Sequence, residues 1–281
     1  MAEVGQTLRR RKLGKELRRA RESAGLSQRD VTKEARLQPG TISKIENGRQ
    51  AILPRNVKLI LQACGVGAPT MDTLIRLAEE SDDVGWWIAF SDTIPDWFAT
   101  YVDLESDADQ IWTYTSELID GLLQTPEYAE AVARAAYPNI TDDELRRSVE
   151  LRTARQSQLD RENPAELHIV MSEAVIRWPV GGPETMRSQL LHVATMARRP
   201  KINIQVLPFS VGAHPGMKCP FTLLRFPEGF DDMDCVYLEN ENGELWQERP
   251  GDITRYTEVF HRLRSLALSR EDTITLLDSL V

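Results

Sequence analysis

Along the first 50 residues, apolar positions recur at helical intervals and are punctuated by capping and stop residues. Leu13, Leu17, Ala20 and Ala24 share one stripe, with Arg18, Arg19 and Arg21 on other faces, which predicts an amphipathic helix over residues 8–24 ended by Gly25. Ser27, followed three residues later by Asp30, predicts a capping box and a second helix through about Ala35. Pro39 in a first-turn position opens a third helix containing Thr41 to Glu46, with Gly48 as its stop. Val31, Ala35, Leu37, Ile42 and Ile45 fall where these two short helices must face each other and the first helix, leaving Gln28, Gln38, Thr41, Ser43 and Lys44 pointing away. Two helices on a three- to four-residue turn have helix-turn-helix geometry.

The pattern then changes. A helix from Asp72 to Glu80 leads into the acidic run Glu79-Glu80-Ser81-Asp82-Asp83, and Trp86, Trp87, Phe90, Trp97, Phe98 and Tyr101 form an aromatic-rich helical opening that starts a second core. Beyond it, strands are predicted over residues 109–116, Leu167 to Met171, Ile202 to Leu207, Phe221 to Phe226, Cys235 to Glu239 and Glu244 to Gln247. Helices are predicted over 126–136, from the capping box Thr141-Asp142-Asp143-Glu144 to about Arg161, and near 184–198, 252–267 and 270–280. The expected fold is therefore multidomain: an all-α helix-turn-helix domain over residues 1–80, then an α+β domain with a mostly antiparallel sheet over residues 86–281.

Charge supports that division. The net charge of -9 argues against nucleic acid only as an average, because residues 1–68 hold 15 Lys plus Arg against 6 Asp plus Glu and carry +9, leaving -18 on the remainder. All 19 aromatic residues lie at or beyond Trp86, so single-strand recognition by base stacking is disfavoured and duplex DNA favoured. Arg9, Arg10, Arg11 and Lys12 read as a basic arm, either simply solvated or lying along phosphates or the minor groove.

The residues Leu26-Ser27-Gln28 and the run from Thr41 to Arg49 resemble the phage-repressor (Cro/C1, XRE-type) helix-turn-helix family over residues 12 to about 67, with Asn56 to Val66 similar to its fourth helix. The resemblance implies that Gln28 bonds a phosphate or supports a base contact, that Gln38, Gly40, Thr41, Ser43 and Lys44 lie on the groove face of the recognition helix, and that Asn47 and Arg49 meet the DNA backbone. Gln can bond adenine bidentately and Lys can reach guanine O6 and N7. Two positions depart from the family pattern. Arg36 stands where glycine is usual, and Pro39 and Gly40 stand where relatives carry base-reading side chains.

Four later stretches, Gly121-Leu122-Leu123-Gln124-Thr125, Arg152 through Gln156, Met171 to Val175 and Ile204 to Phe209, resemble the C-terminal domain of actinobacterial antitoxin-like (WhiJ-related) XRE regulators. That resemblance implies a dimeric transcriptional regulator, a repressor or autoregulator acting on an inverted-repeat operator. It also raises an alternative, an antitoxin-like protein whose C-terminal domain mainly sequesters a small partner protein encoded nearby. A Gly/Pro-containing loop after Leu207 covers a candidate small-molecule effector or partner site with Arg152, Arg155, Gln156, Glu173 and His214 as its polar groups.

An enzyme is the least favoured reading. Ser210 and His214 are neighbours in that loop, but HExxH, GxSxG, P-loop and GxGxxG motifs are missing, and no catalytic residue, cofactor or metal is expected. Cys64, Cys219 and Cys235 match no zinc spacing and read as reduced thiols. No apolar run is long enough for a membrane span or signal peptide, so a cytoplasmic location without membrane contact is expected.

Overall fold

The computed structural model describes residues 8–48, 50, 52–79, 89–90, 96–240 and 243–281. It divides into two compact units between Leu104 and Glu105. The expected junction over residues 80–86 lies outside the described residues, as do Trp86 and Trp87.

The N-terminal unit is helical: α1 (Leu8–Ser23), α2 (Gln28–Glu34), α3 (Thr41–Glu46), α4 (Pro54–Ala63) and α5 (Ala68–Glu79) precede α6 (Asp96–Asp107), within which the division falls. Leu13 and Leu17 of α1, Val31 and Ala35 at α2, Ile42 and Ile45 of α3, and Val57, Ile60 and Leu61 of α4 form one buried cluster, closed by Leu74 and Ala78 of α5. The period of the apolar positions thus becomes the contact surface. Gly14 permits the closest approach: a Cβ there would meet the Ile45 carbonyl oxygen, and the Glu46 carbonyl oxygen at 2.9 Å.

Two expectations are corrected here. Pro39 is not inside the first turn of α3; Gly40, with φ +79°, is the N-cap, and Thr41 N–H donates to the Gln38 carbonyl across the preceding turn. Arg9 to Lys12 are not an arm but the first turns of α1, where Arg10 is buried and Lys12 pairs with Glu16 at 3.3 Å. Leu8, Leu13 and Leu17 are buried along one stripe, and burial of that stripe holds Arg9 to Lys12 in the helix.

The C-terminal unit is an α+β fold around one six-stranded mixed sheet, ordered β3-β2-β1-β4-β5-β6. Its strands are β1 (Gln110–Thr115), β2 (Glu166–Ser172), β3 (Ile202–Leu207), β4 (Phe221–Arg225), β5 (Cys235–Asn240) and β6 (Gly243–Gln247). Pairings β1–β2 and β2–β3 are parallel, and the three from β1–β4 to β5–β6 are antiparallel, so the sheet is mostly antiparallel. Parallel neighbours need long crossovers. These are supplied by α7 (Pro126–Ala136) and α8 (Asp142–Gln156) between β1 and β2, and by α9 (Glu173–Arg177) and α10 (Pro183–Ala197) between β2 and β3.

β2 is buried over residues 167–171 without interruption, as a central strand covered on both faces requires. Trp112, Tyr114, Val170, Leu207 and Leu223 pack with Phe260 and Leu263 of α11 (Pro250–Leu266). The edge of β3 is covered by the C-terminal segment. Val206 N–H donates to Thr273 Oγ1 of α12 (Arg270–Asp278) at 3.1 Å, and Leu268 N–H donates back to the Val206 carbonyl at 2.8 Å, removing an open strand edge. α8 stops at Gln156, earlier than the expected Arg161, and passes into a 3-10 turn over Ser157–Asp160.

Candidate nucleic-acid interface

The helix-turn-helix is α2, a turn and α3. Its entry is fixed by the capping box: Ser27 Oγ accepts from Asp30 N–H at 3.2 Å, and Ser27 N–H donates to Asp30 Oδ2 at 2.9 Å. The Ser27 hydroxyl also donates to Asp30 Oδ2, and this bond, followed by the one from Ser27 N–H, lowers the Asp30 pKa. The α2 C-terminus is a Schellman motif, with Leu37 N–H donating to the Thr32 carbonyl at 2.9 Å and Arg36 N–H to the Lys33 carbonyl at 3.3 Å. Arg36 sits in the left-handed position of that motif, φ +53°, and is the only non-glycine with positive φ among the described residues.

A buried ionic cluster sets the angle of α3. Arg21 of α1 donates from Nε to Glu46 Oε1 at 2.5 Å and from Nη2 to Oε2 at 3.0 Å, while its Nη1 donates to the Leu26 carbonyl at 3.0 Å. The bond to Glu46 raises the Arg21 pKa further. Gln28 Nε2 donates to the same Glu46 carboxylate at 2.8 Å, so the α2 N-terminus, α1 and the end of α3 meet on one side chain. Sequence reasoning missed Arg21 and Glu46. The available signal was charge placed within the buried stripes, Arg21 four residues after Leu17 and Glu46 next to Ile45.

The expected groove residues occupy this scaffold as follows. Gln38, Gly40 and Lys44 are exposed, and Thr41 and Ser43 are half-buried. Gln28 is exposed but has one amide hydrogen committed to Glu46, leaving its oxygen and second hydrogen for a ligand. Asn47 donates from Nδ2 to the Ser43 carbonyl at 2.7 Å, so its amide also closes the end of α3. Arg49 lies outside the described residues.

A family model described as a helix-turn-helix domain matches residues 12–74, and one described as a domain of unknown function, DUF5753, matches residues 98–279. The chain belongs to the DUF5753 family. Its N-terminal unit carries a helix-turn-helix, a fold that binds DNA and is used in transcriptional regulation. No curated protein and no solved structure matches the chain. Among the described residues, no helix is long and apolar enough to cross a membrane.

In the DUF5753 region, Arg152, Arg155 and Gln156 converge on the Gly121–Thr125 turn. Gln156 Nε2 donates to the Gly121 carbonyl at 3.0 Å and the Gln124 carbonyl at 2.6 Å, and Arg152 donates to Gln124 Oε1. Arg155 makes a buried bidentate pair with Glu105 at 2.8 and 2.7 Å and lies so close that a Cβ on Gly121 would meet its Nη1 at 3.3 Å. Burial, with Arg155 beside it, pulls the Arg152 guanidinium down to about 10. Asp120 accepts from Leu122 N–H at 2.8 Å and caps the turn, and burial raises its carboxyl.

His214 lies in the loop after β3, and Glu173, the first residue of α9, reaches that loop through Phe209. Glu173 Oε2 accepts from Phe209 N–H at 2.9 Å, a bond that lowers the Glu173 pKa, and pairs with Arg177 at 2.9 Å. His214 meets the Tyr114 ring edge-on at 5.8 Å, and its Nδ1 finds no hydrogen-bond partner among the described residues. Ser210 is exposed.

Proposed function

We propose that this protein is a homodimeric, sequence-specific regulator of transcription that reads duplex DNA through α3. The observation that carries the proposal is the exposed set of Gln38 in the turn before α3, Gly40 at its N-cap and Lys44 within it, on a short helix whose orientation is fixed from beneath by Arg21, Glu46 and Gln28. A base-reading element needs that rigidity, since hydrogen bonds to base edges tolerate little displacement. Of the three residues, Lys44 supplies the long donor; Gly40 supplies none and lets the helix N-terminus come close to the duplex. Recognition then rests on few direct base contacts, each worth about 1–3 kcal/mol of discrimination. The acidic C-terminal unit supplies dimerisation and receives the signal, and a two-fold pair of heads reads an inverted repeat with half-sites about 34 Å apart.

Footprinting on the DNA upstream of its own gene, with analytical ultracentrifugation of the complex, tests this reading. Two protected half-sites and two chains per duplex are expected. Lys44→Ala should weaken binding to the protected site by about 1–3 kcal/mol and affect random duplex much less. Equal affinity for protected and random DNA in the parent protein would refute sequence-specific recognition.

A further inference from the structure

Helices α1, α2 and α4 end in the same way. At Gly25, Arg36 and Gly65 the chain turns left-handed, with φ +69°, +53° and +71°, and in each case the next residue's N–H reaches back to the carbonyl five residues earlier. Glycine occupies two of these positions because it has no Cβ to clash there. Arginine occupies the third. Nothing in the fold requires it: the Arg36 side chain is exposed, and the Schellman bonds are made by the backbone. A strained backbone retained at an exposed position points to work done by the side chain.

The surroundings show what that work is. Arg36 lines an open depression of about 720 Å³ with Arg29 and Lys33, which lie on the same face of α2. Among the described residues, none of these three cations makes an ion pair. The carboxylate in the depression, Asp30, already accepts from the Ser27 hydroxyl at 2.6 Å. On α1, by contrast, Arg18 pairs with Glu22 at 2.9 Å and Arg19 with Glu16 at 2.7 Å. Three cations against the single carboxylate of Asp30, none of them tied up in an ion pair, leave an excess of positive charge on an open surface beside the recognition helix that matches a phosphate group, for which Arg offers a fork of donors.

We propose that Arg36, with Arg29 and Lys33, forms a phosphate-binding site that grips the DNA backbone beside the groove entered by α3. This rests on the DNA-binding reading above. The left-handed turn then trades local stability for an additional backbone contact, made by a residue type foreign to that turn.

The test is Arg36→Gly in the full chain, measured by thermal melting and by duplex titration between 50 and 300 mM salt. Glycine suits the turn, so the melting midpoint should hold or rise. One phosphate contact contributes about 0.9 to the slope of log affinity against log salt, so the slope should flatten by about that amount. Affinity at 0.1 M salt should fall about eightfold, the same slope referred to 1 M. Arg36→Lys should retain most of the affinity.

An unchanged affinity and slope in Arg36→Gly, with Lys44→Ala still impaired, overturns the site and leaves DNA recognition by α3 standing. Failure of the parent protein to bind any duplex overturns both. If inorganic phosphate saturates the parent but not Arg36→Gly, while the two bind duplex alike, the site serves a free anion and the backbone assignment is overturned.

Discussion

Glu46 is the residue on which the N-terminal unit most depends for its geometry, and Glu46→Ala tests that dependence. The carboxylate is buried, with its side chain 3% exposed, and it takes two bonds from Arg21 and one from Gln28. Removing one partner of a buried ion pair costs about 3–5 kcal/mol, because the remaining charge is stranded. Arg21 keeps its bond to the Leu26 carbonyl and an 11% exposed side chain, which places the loss at the lower end, about 3 kcal/mol. For a domain of this size each kcal/mol moves the midpoint by about 4–8 °C, so a fall of about 12–24 °C is expected.

The assay is far-UV circular dichroism of the full chain. The helices of the helix-turn-helix contain no aromatic residue, so their melting should precede the transition seen in tryptophan fluorescence. Glu46→Gln, which keeps one acceptor oxygen but turns an NH2 donor toward Arg21 or Gln28, should recover only part of the loss. Replacing Arg21 and Glu46 together with Met and Leu should recover most of the loss, because apolar substitution of a whole buried pair is often close to neutral. A midpoint shift under about 4 °C in Glu46→Ala would show that the pair is solvated in solution and does not fix α3.

Two further outcomes follow from the DUF5753 unit. Gln189, fully buried on α10, accepts from Thr125 N–H at 2.7 Å and donates to the Leu123 carbonyl at 2.7 Å, so Gln189→Leu strands two backbone groups at about 1–3 kcal/mol each; an unchanged fluorescence-detected melt would contradict this. Burial lowers the pKa of His168, His192 and His214. The unfolded chain therefore takes up protons near pH 6.5 before the folded chain does, and stability must decline as pH falls through that value. Melts at pH 7.5 and 5.5 should show the loss, His168→Gln should reduce it, and equal midpoints at the two values would refute it.

Much of the fold was legible in the sequence. The stripe through Leu13 and Leu17, the Ser27 and Thr141 capping boxes and the apolar run of β2 each act within one turn or one strand, so local spacing specifies them. The left-handed turn at Arg36 was signalled only by the family resemblance, in which glycine is usual at that position. Strand order was not legible: β1 accepts β2 on one side and β4 on the other, a choice made by crossover helices and by burial on both faces.

The roles of charged residues were the least visible. Arg10 looked like part of a basic arm and Arg21 like a surface charge, yet both are buried, and Glu46 joins three elements through contacts 18 and 25 residues apart in the chain. Arg152, Arg155 and Gln156 offered the right chemistry for a ligand, but only packing showed their hydrogen bonds directed to the Gly121–Thr125 turn and to Glu105. Local pattern fixes which segments become helices and strands, because side-chain spacing and caps act within a turn or a strand. Which polar side chains meet inside the fold is decided by tertiary packing, since desolvation makes a buried charge depend on partners that no sequence interval specifies.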